Sequence, residues 1–151
     1  MKNKNIKRRS FLKATATASI AYSVFPSPAI SKNRLRWKMV TTWPKNFPGV
    51  GTTAEKIAQS INKASDGRLE IKVYGAGEIV PAYEVFDAVR QGTTEMGHGW
   101  SGYWISKNPG LAYFGGIPGG LSPSEQSAWA LYGGGLELWE ELLDPYGIQP
   151  F

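Results

Sequence analysis

A chain of 151 residues with 17 basic and 12 acidic side chains and no cysteine holds at most one ordinary domain and excludes disulfides, thiolate metal sites and a lipid-modified cysteine. Its formal net charge of +5 comes from the front, where Lys2, Lys4, Lys7, Arg8, Arg9 and Lys13 lie; beyond Ala29, 11 basic residues face 12 acidic ones. That near-neutral remainder excludes the basic face a nucleic-acid footprint needs.

Residues 1–29 have the layout of an export signal: the charged segment, a mild apolar stretch from Ala14 to Phe25, then the small-residue pattern Ser27, Pro28, Ala29. Arg8, Arg9, Ser10, Phe11, Leu12 and Lys13 resemble the twin-arginine motif, which sends folded proteins across a membrane. The apolar stretch is diluted by Thr15, Thr17, Ser19 and Ser23. It falls short of the ~20 apolar residues a membrane span requires, so the segment reads as a removable signal and not as an anchor. The expected domain then covers residues 30–151.

In chain order, Leu35, Trp37, Met39 and Thr41 alternate with Arg36, Lys38 and Val40, predicting a first strand ended by Pro44. Thr52 and Glu55 have the spacing of a capping box. Ala54, Ile57, Ala58, Ile61 and Ala64 then recur at helical spacing up to Gly67, a left-handed C-cap position. Leu69, Ile71 and Val73 predict a second strand, and strand, helix, strand with short connections predicts parallel pairing. Pro81 suits the first turn of a second helix, with Val85, Phe86 and Val89 facing the sheet and Gly92 ending it. Thr94 to His98 reads as a short third strand.

Periodicity disappears from Ser101 to Leu121, a stretch rich in glycine and aromatics that predicts a functional or packed loop. Ser122, Pro123 and Glu125 form a second capping box before another helix. Gly133 to Gly135 break it, a further helix ends at Pro145 and Gly147, and Ile148 to Phe151 look like a fourth strand. This order of elements predicts the α/β class.

Candidate chemistry is sparse. The loop Gly75, Ala76, Gly77, Glu78, Ile79, Val80 follows a strand and precedes a helix, which invites a dinucleotide reading. Val80 occupies the third glycine's place, and Glu78 would set a negative charge beside a pyrophosphate. A tight turn that shapes a crevice is the better reading, with Glu78 able to cap the next helix. His98 is the single histidine, with no partners at metal-ligand spacing, and reads as a hydrogen-bonded structural residue. Glu137, Glu140, Glu141 and Asp144 read as solvated charge. Trp43, Trp100, Tyr103 and Trp104 fall just beyond strand ends, where open α/β sheets bind ligands. Their apolar faces and single polar handles suit a small polar organic ligand, although each could equally be core.

Three runs carry a family resemblance: Gly67 through Tyr74, Gly77 through Pro81, and Phe86, Asp87, Ala88, Val89, Gly92, Thr93 and Glu95. Together they resemble the solute-binding proteins of tripartite ATP-independent periplasmic (TRAP) transporters, the DctP-like family. The segment from Val80 through Gly102, Tyr103 and Trp104 to Lys107, Asn108 and Pro109 is similar to the subgroup that binds 2-oxo acids and related monocarboxylates. The resemblance implies a periplasmic two-lobe clamshell, of which this chain holds an incomplete first lobe. It closes on a small organic anion and presents it to the membrane permease subunits, and it leaves a homodimer open. It places ligand contact on Tyr103, with Trp104 beside it, and carries Trp43 and Glu78 over as crevice-lining positions. It also implies a metal cation bound with the ligand, held by no residue of this stretch, and a carboxylate-clamping arginine beyond Phe151. Arg68 in a turn and Arg90 in a helix do not take that role.

Two rival readings come from other classes. A twin-arginine-exported enzyme would need a nucleotide loop or metal cluster, and a single-lobe interaction module would leave an open sheet edge. Within the family, a dicarboxylate is the alternative ligand.

Overall fold

The structure, a computed structural model, describes residues 34–151; the export-signal reading of residues 1–29 lies outside them. Three parallel strands, β1 (Leu35–Thr41), β2 (Leu69–Tyr74) and β3 (Met96–His98), form a sheet in the order β2-β1-β3. Helix α1 (Val50–Ala64) joins β1 to β2, and α2 (Val85–Arg90), entered through a 3₁₀ turn at Ala82–Glu84, joins β2 to β3. Helices α3 (Leu111–Gly115), α4 (Pro123–Tyr132) and α5 (Gly135–Leu143) follow. The class is α/β, as the pattern predicts.

Register explains the burial of β1. Leu35 to Lys38 pair only with β2, whereas Met39 and Val40 have partners on both sides, Val73 and Tyr74 on β2 and Met96 and Gly97 on β3. The strand is accordingly exposed in its first half, Leu35 at 59%, and buried on both faces from Met39 to Thr41. One core lies between α1 and the sheet, formed by Met39, Ala54, Ala58, Ile71, Val73 and Met96. The outer edge of β2 is closed by side chains of α1. The Asn62 amide donates to Ile71 O at 3.2 Å and accepts from Ile71 N at 2.7 Å. Ser65 Oγ accepts from Leu69 N and donates to Leu69 O, both at 3.1 Å. Edge groups that would otherwise recruit another strand are thereby satisfied.

Four sequence expectations are corrected. Thr52 and Glu55 form no capping box, because α1 begins earlier, after Gly49. Thr52 and Thr53 lie inside the helix and donate their hydroxyls to Gly49 O at 2.9 and 2.8 Å, the back-bonding such residues adopt within helices. Val85 and Val89 lie over Gly97 of β3, but Phe86 turns into a second core with Leu111 and Leu143. The stretch from Ser101 to Leu121 is partly helical, with a 3₁₀ turn at Ser101–Trp104 and then α3. Residues 148–151 form no strand: Ile148 packs on the second core and its N–H turns back to Leu143 O, which leaves it no ladder to join.

The second predicted capping box is present. Ser122 Oγ accepts from Glu125 N at 3.4 Å while Glu125 Oε2 accepts from Ser122 N at 2.8 Å. No residue of α4 is buried, so local satisfaction of its first turn matters. Ser122→Ala is expected to cost about 1 kcal/mol, read as a lowered urea midpoint with unchanged slope.

The carboxyl ends of β1 and β3 are tied twice. Thr42 N donates to His98 O at 3.1 Å, and the Trp43 indole Nε1–H donates to His98 Nδ1 at 3.0 Å. Burial holds the His98 imidazole below its ordinary value of 6.5. The unfolded chain therefore takes up this proton before the folded one does, so acid favours unfolding. Stability is full above about pH 6.5 and falls below it, levelling once the folded imidazole is itself protonated. Urea midpoints measured on the acid side of that value should fall more steeply for the unsubstituted chain than for His98→Asn, which does not titrate there.

Candidate functional site

Three loops meet at the carboxyl ends of the strands. After β1 the backbone of Trp43 is pinned from both sides: its carbonyl accepts from Thr41 Oγ1 at 2.7 Å and from Ala76 N, in the loop after β2, at 2.9 Å. The glycine loop is a tight turn, with Gly77 N donating to Val80 O at 2.9 Å and Glu78 N to Gly75 O at 3.1 Å. A Cβ on Gly75 would lie 2.6 Å from the backbone nitrogen of Lys45, so glycine there lets two loops touch. The closeness is structural, which accounts for a glycine run without a nucleotide. Beyond β3, a Cβ on Gly99 would meet both Thr42 Cγ2 and the Trp104 ring at 2.6 Å, so the β3 loop lies directly on the β1 loop.

The aromatic residues separate into two roles. Tyr103, 37% exposed, meets Tyr83 at a centroid distance of 5.3 Å and 87° and Trp100 at 5.3 Å and 86°. These edge-to-face contacts are the arrangement that aromatic quadrupoles favour. Trp100 is fixed in turn by its indole N–H, which donates to Gly115 O at 2.7 Å. The outcome is a ladder of three exposed rings, Tyr83, Tyr103 and Trp100, at the rim of the strand ends. Trp104 turns the other way, against Phe86 at 5.6 Å in the second core, and its Nε1 is buried without a protein partner.

Trp43 is half-buried beside His98, its ring edge-on to the imidazole at 5.4 Å and 74°. With Nδ1 accepting, the proton of a neutral imidazole sits on Nε2. Glu78 stands apart, exposed in the glycine loop. It does not cap the following 3₁₀ turn, whose first position is taken by Pro81. Tyr83 was not legible as a site residue from sequence; its place three residues beyond Val80 was the available signal, since Pro81 starts a turn that faces the β3 loop.

Among the described residues no three His, Asp or Glu side chains converge. No described helix is long and apolar enough to cross a membrane. A separate apolar groove of about 510 Å³ lies among α3, α4 and α5, lined by Tyr113, Phe114, Ile117, Leu121, Trp129 and Leu138 among others. None of the strand-end residues borders it.

Comparison with known proteins points one way. The monocarboxylate 2-oxoacid-binding periplasmic protein of Nostoc sp. is 33% identical to the whole of this chain, which spans 42% of its length. The TRAP periplasmic solute-binding protein of Colwellia psychrerythraea, solved with bound calcium and pyruvate, is 40% identical with a TM-score of 0.76, over 78% of this chain and 36% of that one. Its counterpart from Pseudoalteromonas atlantica, solved with sodium and pyruvate, is 39% identical with a TM-score of 0.73, over 76% and 35%. The chain thus spans less than half the length of these relatives and matches part of a TRAP solute-binding fold. A family profile described as bacterial extracellular solute-binding protein, family 7, covers residues 39–149, the carboxyl end of every described strand and every candidate site residue included, and the chain belongs to that family.

Proposed function

We propose that the protein is the periplasmic solute-binding component of a TRAP transporter and captures a 2-oxo acid or related small monocarboxylate for the membrane permease. The observation that carries the reading is the exposed ladder of Tyr83, Tyr103 and Trp100 at the carboxyl ends of a parallel sheet in a member of this family. Rigid aromatic faces with a phenolic hydroxyl bind a small planar acid at little entropic cost. Tyr103 contacts the ligand. Trp104 holds the loop from beneath, and Trp43 and Glu78 line the neighbouring wall. Residues 1–29 act as an export signal of twin-arginine type, and residues 30–151 form the first lobe of a clamshell.

Two solved relatives carry bound pyruvate together with calcium or sodium. A cation bound with ligand here takes oxygen donors, carbonyls and amides as well as carboxylates; among the described residues no three carboxylate or imidazole side chains come together.

Two measurements test the reading. In a protein carrying both lobes, Tyr103→Ala should weaken pyruvate binding by about 1 kcal/mol or more, the net worth of a lost hydrogen bond; an unchanged dissociation constant would move Tyr103 out of the pocket. The 151-residue chain alone should give no saturable heat with pyruvate in calorimetry. Tight binding by it would show that the first lobe suffices and would overturn the two-lobe reading.

A further inference from the structure

The strand ends contain one polar contact between side chains of different strands' loops that the solute reading does not use. Trp43 follows β1, and His98 ends β3, 55 residues later. The Trp43 backbone is already held through its carbonyl, but that leaves the indole free to turn about its side-chain torsions. The bond from indole Nε1–H to His98 Nδ1, at 3.0 Å, is the polar tether that selects one ring orientation. His98 is itself fixed, since its carbonyl accepts from Thr42 N in the same loop and its backbone pairs with Thr41.

We propose that His98 is a positioning residue of the crevice: its Nδ1 lone pair locks the Trp43 indole into the wall that a small carboxylate ligand meets. The proposal rests on the reading of Trp43 as a crevice-lining residue. Its chemistry requires a neutral imidazole with an unprotonated Nδ1, because a protonated ring has two donors and no acceptor. Burial favours the neutral form. A preorganised wall lowers the ordering cost of binding, so losing the tether weakens affinity even though His98 itself does not touch the ligand.

Three variants separate positioning from simple filling of space. Asn places an amide oxygen where Nδ1 lies, Gln moves its amide to the Nε2 side, and Leu supplies bulk without an acceptor. In proton–nitrogen correlation spectra of the 151-residue chain, the Trp43 indole signal is assigned by its loss in Trp43→Phe. That signal should move upfield and exchange faster with solvent in His98→Leu and His98→Gln, and should stay in place in His98→Asn. Should the Leu variant fail to fold, the Gln variant carries the comparison. An indole signal unmoved by both Leu and Gln overturns the tether.

In a protein with both lobes, Leu and Gln should weaken pyruvate binding about fivefold or more, with Asn within about twofold of the unsubstituted protein. An indole that moves while pyruvate affinity holds makes the bond merely structural and overturns the positioning role. If the unsubstituted two-lobe protein binds no pyruvate, the solute reading fails instead, and the indole signal still decides the tether.

Discussion

The double pairing of the last residues of β1 is the constraint on which the site depends. Met39 and Val40 stand in register with both β2 and β3, and Met39 to Thr41 are almost wholly buried. A strand paired on both sides at its carboxyl end cannot shift register there without breaking its pairing to both neighbours. Thr42 and Trp43 therefore emerge at a fixed point between the loops that follow β2 and β3. Ala76 N–H to Trp43 O and Thr42 N–H to His98 O convert that point into a platform. The aromatic ladder is assembled at its edge, from the loop that leaves β3 and the turn at Ala82–Glu84 that follows β2.

One edge of the sheet is the far side of β2, and α1 with its C-cap Ser65 satisfies it locally. Asn62 and Ser65 satisfy the backbone groups of Ile71 and Leu69, so the crossover helix also serves as a false edge strand. With β2 closed in this way, the parallel pair needs no further strand on that side.

What the sequence made legible follows from how local the causes are. Strand positions, the turn at Gly67 and the capping box at Ser122 depend on neighbours a few residues apart, and the structure contains them. Thr52 and Glu55 have the same spacing as Ser122 and Glu125, yet form no box, because Gly49 starts α1 a turn earlier and recruits the threonine hydroxyls to its carbonyl. Phe86 carries the helical period expected of a sheet-facing residue. Its true partners, Leu111 and Leu143, lie 25 and more residues downstream, where periodicity gives no information. The residues at 148–151 have strand propensity without a ladder, and packing of Ile148 decided the outcome. His98 was legible as hydrogen-bonded, but its partner Trp43, 55 residues earlier, was not.

The candidate site also has a chemical asymmetry. Its described half offers aromatic faces, two phenols and two indoles, but no guanidinium. Arg36 lies in the first half of β1, at the end opposite the crevice, and pairs with Glu70 at 3.4 Å. Arg68 donates through Nε to Ser65 O before β2 begins. Arg90 closes α2 just ahead of β3, so it too lies at the amino end of the strands. In a parallel sheet those are opposite ends, so these arginines sit at the end of the strands away from the ladder. A carboxylate bound against the ladder would thus have its flat apolar and hydrogen-bonding surface matched by this lobe and its charge met from elsewhere. On the proposed reading, that division is the one a clamshell needs, with this lobe supplying the aromatic surface and the other the charge.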